Sequence, residues 1–175
     1  MDYSYMEREK IKDEFISMFE AFMFEIVPEK LRKFFGEGAL IALMYDIVKD
    51  ASKKTITRYA PRNVVEAIEY ALKLQQTVFG DFEFQIRELG GKVCVEVIKC
   101  PHQKYVDGAP YRCVPCIAMI AGAIESTGKR VQVNYFGRKV GAREPHVVIK
   151  IEKHKPLGHD RCLLEVLVSE DAGSE

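Results

Sequence analysis

The spacing of the apolar residues changes at Gly80, and this change constrains the fold more than any other feature of the chain. Before Gly80, apolar residues recur at steps of three and four, which is typical of amphipathic helices. After it, the segments "DFEFQIREL" and "KVCVEVIK" alternate apolar and polar residues, as half-buried strands do. Helices followed by strands favour an α+β fold over a regular alternation of strands and helices.

Three helices are predicted before Gly80. The first ends near Pro28, and the second spans "GEGALIALMYDIVKDASKK". The third follows Pro61, where Asn63 is a suitable N-cap and Glu66 occupies the reciprocal position of a capping box. We expect the apolar stripe of the first helix to lie in the core, and its members are Ile11, Phe15, Met18, Phe19, Phe22, Met23 and Ile26.

After Gly80, the sequence predicts a hairpin that turns at Gly90–Gly91, and then a helix over "CVPCIAMIAGAIESTG". Pro115 suits the first turn of that helix and Gly128 its C-cap. Strands "RVQVNYF" and "PHVVIKI" follow, whereas "CLLEVLV" fits strand or helix. The predicted fold is therefore α+β: N-terminal helices packed on a small antiparallel sheet of four to five strands, with one helix inserted between the hairpin and the later strands. We expect one domain, 1–175, with a helical part (1–79) and a sheet-containing part (80–170).

Composition and charge limit the classes of function. The chain of 175 residues is long enough to bury a core, and its 26 Lys and Arg balance its 26 Asp and Glu. The N-terminal "MDYSYMEREK" lacks the apolar region of a signal peptide, and no apolar run approaches the roughly 20 residues of a membrane span. We therefore expect a cytoplasmic protein without membrane contact, whose cysteines are reduced, metal-bound or catalytic.

Basic residues are concentrated in the C-terminal half. Between Lys99 and Arg161 there are twelve Lys or Arg and five Asp or Glu. A solvated face is the favoured interpretation. Nucleic-acid binding is the least favoured function, although aromatic residues lie among these basic ones: Tyr105, Tyr111, Tyr135 and Phe136.

The segment "KCPHQKYVDGAPYRCVPC", residues 99–116, resembles a metal site in its spacing. Cys100 and His102 follow the predicted hairpin, and Cys113 and Cys116 open the predicted helix. Zinc is commonly held by two short-spaced pairs of sulfur and nitrogen ligands joined by a loop. These four residues therefore predict a zinc site, and four protein ligands would make it structural rather than hydrolytic. Cys94 and Cys162 stand alone in strand patterns and are expected to be small core residues.

Two other interpretations of these cysteines remain open. In "CVPC" a proline precedes the second cysteine at a helix start, as in thioredoxin-like sites, so Cys113 and Cys116 suit a redox pair. The expected βαβ context is missing, however, and a redox pair leaves Cys100 and His102 unexplained. The third interpretation is a loop of reduced cysteines without a metal.

From Gly36 onward the sequence resembles the 4-vinyl reductase domain family, whose members are also described as hydrocarbon-binding or small-molecule-binding domains. The resemblance lies in "GEGALIALMYDIV", "VEVIKCPH", "CVPCIAMIAGAIESTGKRVQV" and "EPHVVIKIE". It implies a fold similar to TRAPP-complex subunits and haem–nitric-oxide-binding domains, with helices layered over a small antiparallel sheet. The further cysteine pair that family members often carry in the last hairpin is missing from "NYFGRKVGAREPHVVIKI".

The function that this resemblance implies is binding of a small, largely apolar molecule between helices and sheet, often in a regulatory setting. Together with the residue patterns, it favours a ligand-binding or regulatory domain with a structural zinc, and Phe19, Phe22 and Met44 as ligand-binding residues. The alternative is a thiol oxidoreductase, or a reductase accessory protein, that uses the "CVPC" cysteines. Enzyme activity is not favoured, because "FGEGAL" lacks a dinucleotide-binding fingerprint.

Small residues in "AMIAGAI" allow the predicted helix to approach another element closely: Ala118, Ala121, Gly122 and Ala123. Tight packing within one copy of the chain is the favoured explanation. The alternative is a seam between two copies, and because the related folds pair, a homodimer is expected.

Overall fold

The computed structural model of the protein describes residues 3–169. Its helical part precedes most of the sheet, and a π-helical turn, Phe22–Ile26, joins the first two helices. The α-helices are α1 (Tyr3–Ala21), α2 (Val27–Ile56), α3 (Val64–Phe79), α4 (Gln103–Val106) and α5 (Val114–Glu125). The backbone of α2 is interrupted by a kink at Gly36, where φ is 78°. Among the described helices, none combines the length and apolar character needed to cross a membrane.

One open sheet follows α1, α2 and α3, while α4 and α5 lie between its second and third strands along the chain, and the predicted α+β class is confirmed. Its strands, in the spatial order β1-β2-β6-β5-β3-β4, are β1 (Glu83–Leu89), β2 (Lys92–Lys99), β3 (Val131–Tyr135), β4 (Arg138–Gly141), β5 (Val147–Lys153) and β6 (Cys162–Val168). The sheet has six strands rather than four or five, and β3 pairs with β5 in parallel. The additional strand, β4, was not predicted, because "RKVG" is short and has no apolar alternation.

The predicted N-cap of α3 is confirmed. Asn63 Oδ1 accepts a hydrogen bond from the backbone N–H of Glu66 at 2.9 Å. The carboxylate of Glu66 accepts in turn from the backbone N–H of Arg62 at 2.8 Å, one residue before the position expected in a capping box. Both bonds satisfy amide groups that lack partners within the helix.

The core lies between the sheet and a layer formed by α2, α3 and α5. The closest approach is that of α5 to α2 at Gly122. A Cβ at this position would lie 2.9 Å from both the Lys49 carbonyl carbon and the Lys53 amide nitrogen, and still closer to the Lys49 carbonyl oxygen. The small residues of α5 therefore serve packing within one copy of the chain.

The expectation that the stripe of α1 lies in the core is wrong. Ile11, Phe15, Met18, Phe19, Phe22 and Ile26 are between 45% and 61% exposed, and Met23 alone among the stripe packs against the core. The buried aromatic residue of this segment is Phe24, which the periodicity did not select. None of the described α1 side chains belongs to the main core cluster.

Candidate functional site

An apolar cavity of about 310 Å³ lies between the N-terminal helices, α3 and α5. This volume is within the range of about 300–1,000 Å³ that is typical of small-molecule sites. Four polar side chains occur in the lining, and they belong to Ser52, Thr55, Gln75 and His102. The apolar lining includes Phe19, Met23, Phe24, Ile47, Leu74 and Met119.

Local structure explains why this cavity is apolar. The π-helical turn adds a residue to the turn of the helix, which brings Phe24 inward and leaves Phe22 exposed. On α2, the hydroxyl of Ser52 donates to the Met119 carbonyl at 2.7 Å and thereby connects α2 to α5. The hydroxyl of Thr55 donates to the Ala51 carbonyl at 2.9 Å. Both hydroxyl protons are therefore already used inside the protein.

His102 is the most unusual residue of the lining, because it is only 1% exposed. Its ring stacks on Phe24 with 4.0 Å between centroids, and Phe79 contacts it edge-on at 4.5 Å. Nδ1 lies 3.0 Å from the Glu20 carboxylate oxygen Oε1. The other ring nitrogen, Nε2, is buried and has no hydrogen-bond partner among the described residues.

Burial decides the charge of this pair. It lowers the pKa of His102 to about 4, and the positive charge of Lys104 acts in the same direction, so the imidazole is neutral at neutral pH. Burial also raises the pKa of Glu20, although Lys104 opposes this effect and favours the carboxylate. A neutral histidine whose Nδ1–H donates to a carboxylate leaves Nε2 as an acceptor. A buried acceptor without a partner costs about 1–3 kcal/mol.

Three of the predicted zinc ligands, Cys100, Cys113 and Cys116, are neighbouring thiols, whereas His102 pairs with Glu20. His102 lies against the cavity and Glu20, whereas Cys113 and Cys116 are at the start of α5, where they pack near Phe24. Cys100 directly follows β2 and is one of the neighbouring thiols that raise the pKa of Cys113 and Cys116. Within residues 3–169, no three or more His, Cys, Asp or Glu side chains are arranged to hold a metal ion. The zinc site stays a prediction from the sequence, and no step of the function proposed below depends on it.

The direction of the pKa shifts does not favour a redox pair among the cysteines. All five are free. Burial raises the pKa of Cys113 and Cys116 well above the ordinary value of a thiol, and the neighbouring thiols add to this effect. A reactive redox cysteine needs the opposite shift, because the thiolate is the nucleophile.

Cys162 belongs with these thiols, which sequence reasoning did not recognise. It is one of the neighbours that raise the pKa of Cys113 and Cys116, after burial itself. Its sulfur accepts a hydrogen bond from the Lys155 backbone N–H at 3.4 Å. Cys162 comes from the last strand, so no local spacing in the sequence connects it to the "CVPC" segment.

The three predicted ligand-binding residues separate in the structure. Phe19 lines the cavity, near its mouth. Phe22 is half exposed and is not part of the lining. Met44 is buried in the main core cluster and also does not line the cavity.

Helices layered over one open sheet form a fold that solved structures share. The chain is similar to a trafficking protein particle complex subunit 3 from Naegleria fowleri, solved covalently bound to palmitic acid. The TM-score is 0.62 at 14% identity, over 89% of this chain and 95% of that one. This similarity shows a common fold, as the predicted likeness to TRAPP subunits implies.

The family is shown by the sequence. The family model of methanogen output domain 1 matches residues 3–151, so the chain belongs to that family. Membership of the 4-vinyl reductase domain family is not shown by this match. A search of curated proteins found no significant match.

Proposed function

We propose that this domain binds a small apolar molecule in the cavity between the N-terminal helices, α3 and α5, and that it serves a regulatory role. The observation that carries the proposal is the cavity itself. Its lining is predominantly apolar, and its volume is large enough for an alkyl chain. If a methylene group takes roughly the volume of a water molecule, about 30 Å³, the cavity holds about ten of them. The palmitic acid bound to the subunit from Naegleria fowleri supports an apolar chain as the ligand. The family description, an output domain, supports the regulatory setting.

Binding in this chain is proposed to be non-covalent. The related subunit was solved with palmitic acid attached covalently. The described residues that line the present cavity include no cysteine. The hydroxyls of Ser52 and Thr55 donate to backbone carbonyls, and no base lies within hydrogen-bond distance of them to activate either as a nucleophile.

The proposal is tested with N-phenyl-1-naphthylamine, an uncharged apolar dye whose fluorescence rises in apolar surroundings. We expect the dye to bind the wild-type protein and Ala51→Trp to weaken its binding about ten-fold or more. Ala51 is an exposed residue of α2 that lines the cavity, so the indole would occupy the mouth without disturbing the core.

Ala42→Trp is the matched control. Ala42 is also an exposed residue of α2, but it does not line the cavity. Dye binding that is absent in the wild type, or equal in the Ala51→Trp and Ala42→Trp variants, would contradict the proposal. Native mass spectrometry of the purified protein would identify any apolar molecule retained from the cell.

Pairing of two copies stays a prediction from the sequence. The small residues of α5 do not provide the seam, because α2 covers Gly122. The oxidoreductase alternative is not proposed, because burial raises the pKa of both "CVPC" thiols.

A further inference from the structure

We propose that His102, oriented by Glu20, is the polar anchor of the cavity and selects an apolar chain that ends in a hydroxyl group. The inference rests on the proposed function and deepens it, because it names the chemical class of the ligand. An alkyl chain with a terminal alcohol would donate a hydrogen bond to Nε2 of His102. The same chain without a donor, or with a carboxylate, would bind more weakly.

The unpartnered nitrogen is the first observation. Nδ1 of His102 is occupied by Glu20 at 3.0 Å, so Nε2 is the ring nitrogen that is left without a partner in a residue that lines the cavity. His102 is 1% exposed, and no described residue provides a hydrogen bond to Nε2. Buried polar atoms in native proteins nearly always have partners, so a ligand group is the natural partner for this one.

The fixed position of the ring is the second observation. Phe24 stacks on one face at 4.0 Å and Phe79 contacts the ring edge-on at 4.5 Å. Both phenylalanines also line the cavity. The imidazole is therefore held before a ligand arrives, and a preorganised acceptor loses little conformational entropy on binding.

The charge around the anchor is the third observation, and it distinguishes between headgroups. Glu20 places a carboxylate 3.0 Å from the histidine ring, so an anionic headgroup would meet a like charge in a poorly solvated site. The positive charge of Lys104 reaches this pair, but Lys104 is exposed and does not line the cavity, so it offers no direct ion pair to a carboxylate bound there. The Ser52 hydroxyl donates to the Met119 carbonyl and does not compete as a donor for the headgroup.

The experiment compares three probes with the same alkyl chain as competitors of N-phenyl-1-naphthylamine: 1-decanol, its methyl ether and decanoate. At neutral pH we expect 1-decanol to displace the dye from the wild-type protein at about ten-fold lower concentration than the ether. The ether keeps the apolar chain and an acceptor oxygen but lacks the donor. We expect decanoate to be the weakest of the three competitors.

Two variants connect this preference to the anchor. His102→Phe removes the acceptor and keeps an aromatic ring, so we expect 1-decanol and its methyl ether to compete equally. Glu20→Gln removes the negative charge, so we expect decanoate to gain affinity relative to 1-decanol. The second variant leaves the phenylalanine stack unchanged and tests the inference even if His102→Phe does not fold.

Failure of this inference differs from failure of the proposed function. Equal competition by 1-decanol and its ether in the wild type, or decanoate as the strongest competitor, would overturn the anchor while cavity binding stands. A preference for the alcohol that persists in His102→Phe would do the same. Absence of any dye binding to the wild type would overturn the proposed function and, with it, the anchor.

Discussion

At the scale of single residues, His102 shows how a distant contact changes the meaning of a local motif. The sequence pairs it with Cys100, two residues earlier, as half of a zinc site, although C-x-H is an unusual spacing for such a pair. In the structure its partner is Glu20, which lies 82 positions earlier in the chain. No spacing rule reaches that far, so the sequence could not predict the buried carboxylate–histidine pair.

The zinc prediction has a direct measurement. The sequence predicts about one zinc per chain in protein purified from zinc-containing medium. We expect Cys113→Ser, which removes one of the four predicted ligands, to hold less zinc than the wild type does. Elemental analysis of both proteins measures this, and a wild-type content below about 0.2 equivalents would contradict the prediction.

A second residue-scale prediction concerns Glu29, near the start of α2. Its carboxylate accepts hydrogen bonds from Tyr111, from Arg112 at 2.8 Å and from Arg32 at 3.2 Å. The bond from the Tyr111 hydroxyl is the main cause that lowers the pKa of Glu29 to about 2, from an ordinary 4.5. We expect Glu29→Gln to lower the free energy of unfolding at neutral pH by about 2 kcal/mol.

The pH dependence of that difference follows from the direction of the pKa shift. A lowered folded-state pKa stabilises the protein fully above pH 4.5, and the contribution disappears as the pH falls from 4.5 towards 2. Urea unfolding at several pH values should therefore show the wild type converging with Glu29→Gln over that range. Glu25→Gln, at an exposed position of the π-helical turn, is the control, and an equal loss of stability there would contradict the assignment.

At the scale of elements, the periodicity of apolar residues predicted where helices and strands lie in the chain. It did not predict which other element packs against each of them. The stripe of α1 has helical spacing and forms a helix, yet its side chains are exposed. In α5 the small residues are covered by α2, and Gly122 allows the two backbones to meet. A face predicted from residue spacing is therefore exposed in α1 and buried in α5, because burial depends on whether another element packs against that face.

The contact between α2 and α5 provides a test at this scale. We expect Gly122→Ala to lower the free energy of unfolding by about 1–3 kcal/mol or more, because the added methyl group would meet backbone atoms that cannot move aside. Thermal or urea unfolding measures the loss.

Gly38→Ala is the matched control for that substitution. Gly38 lies in α2, where an added Cβ would meet the flexible end of the Arg138 side chain at 3.0 Å. The methyl group should be neutral or should stabilise the helix by up to about 1 kcal/mol, since alanine has the higher helix propensity. Equal effects at Gly122 and Gly38 would contradict the packing argument.

At the scale of the whole molecule, the helical layer and the sheet together form the cavity. Its lining combines the π-helical turn, α2, α3, the loop that carries His102, and α5. The Ala51→Trp prediction belongs here, because it depends on all these elements meeting around one volume. A chain with the same helices and strands but a different packing would have no such site.

The sequence by itself determined the order of helices and strands, the hairpin, the cap of α3 and the small-residue face of α5. These features depend on residues that are neighbours in the chain, whose spacing and propensities act locally. Only the tertiary structure decided that the aromatic stripe of α1 lies exposed, that Cys162 joins the other thiols, and that Glu20 orients His102 beside the cavity. Each of these depends on segments distant in the chain being brought together by burial of the core, which no local pattern specifies.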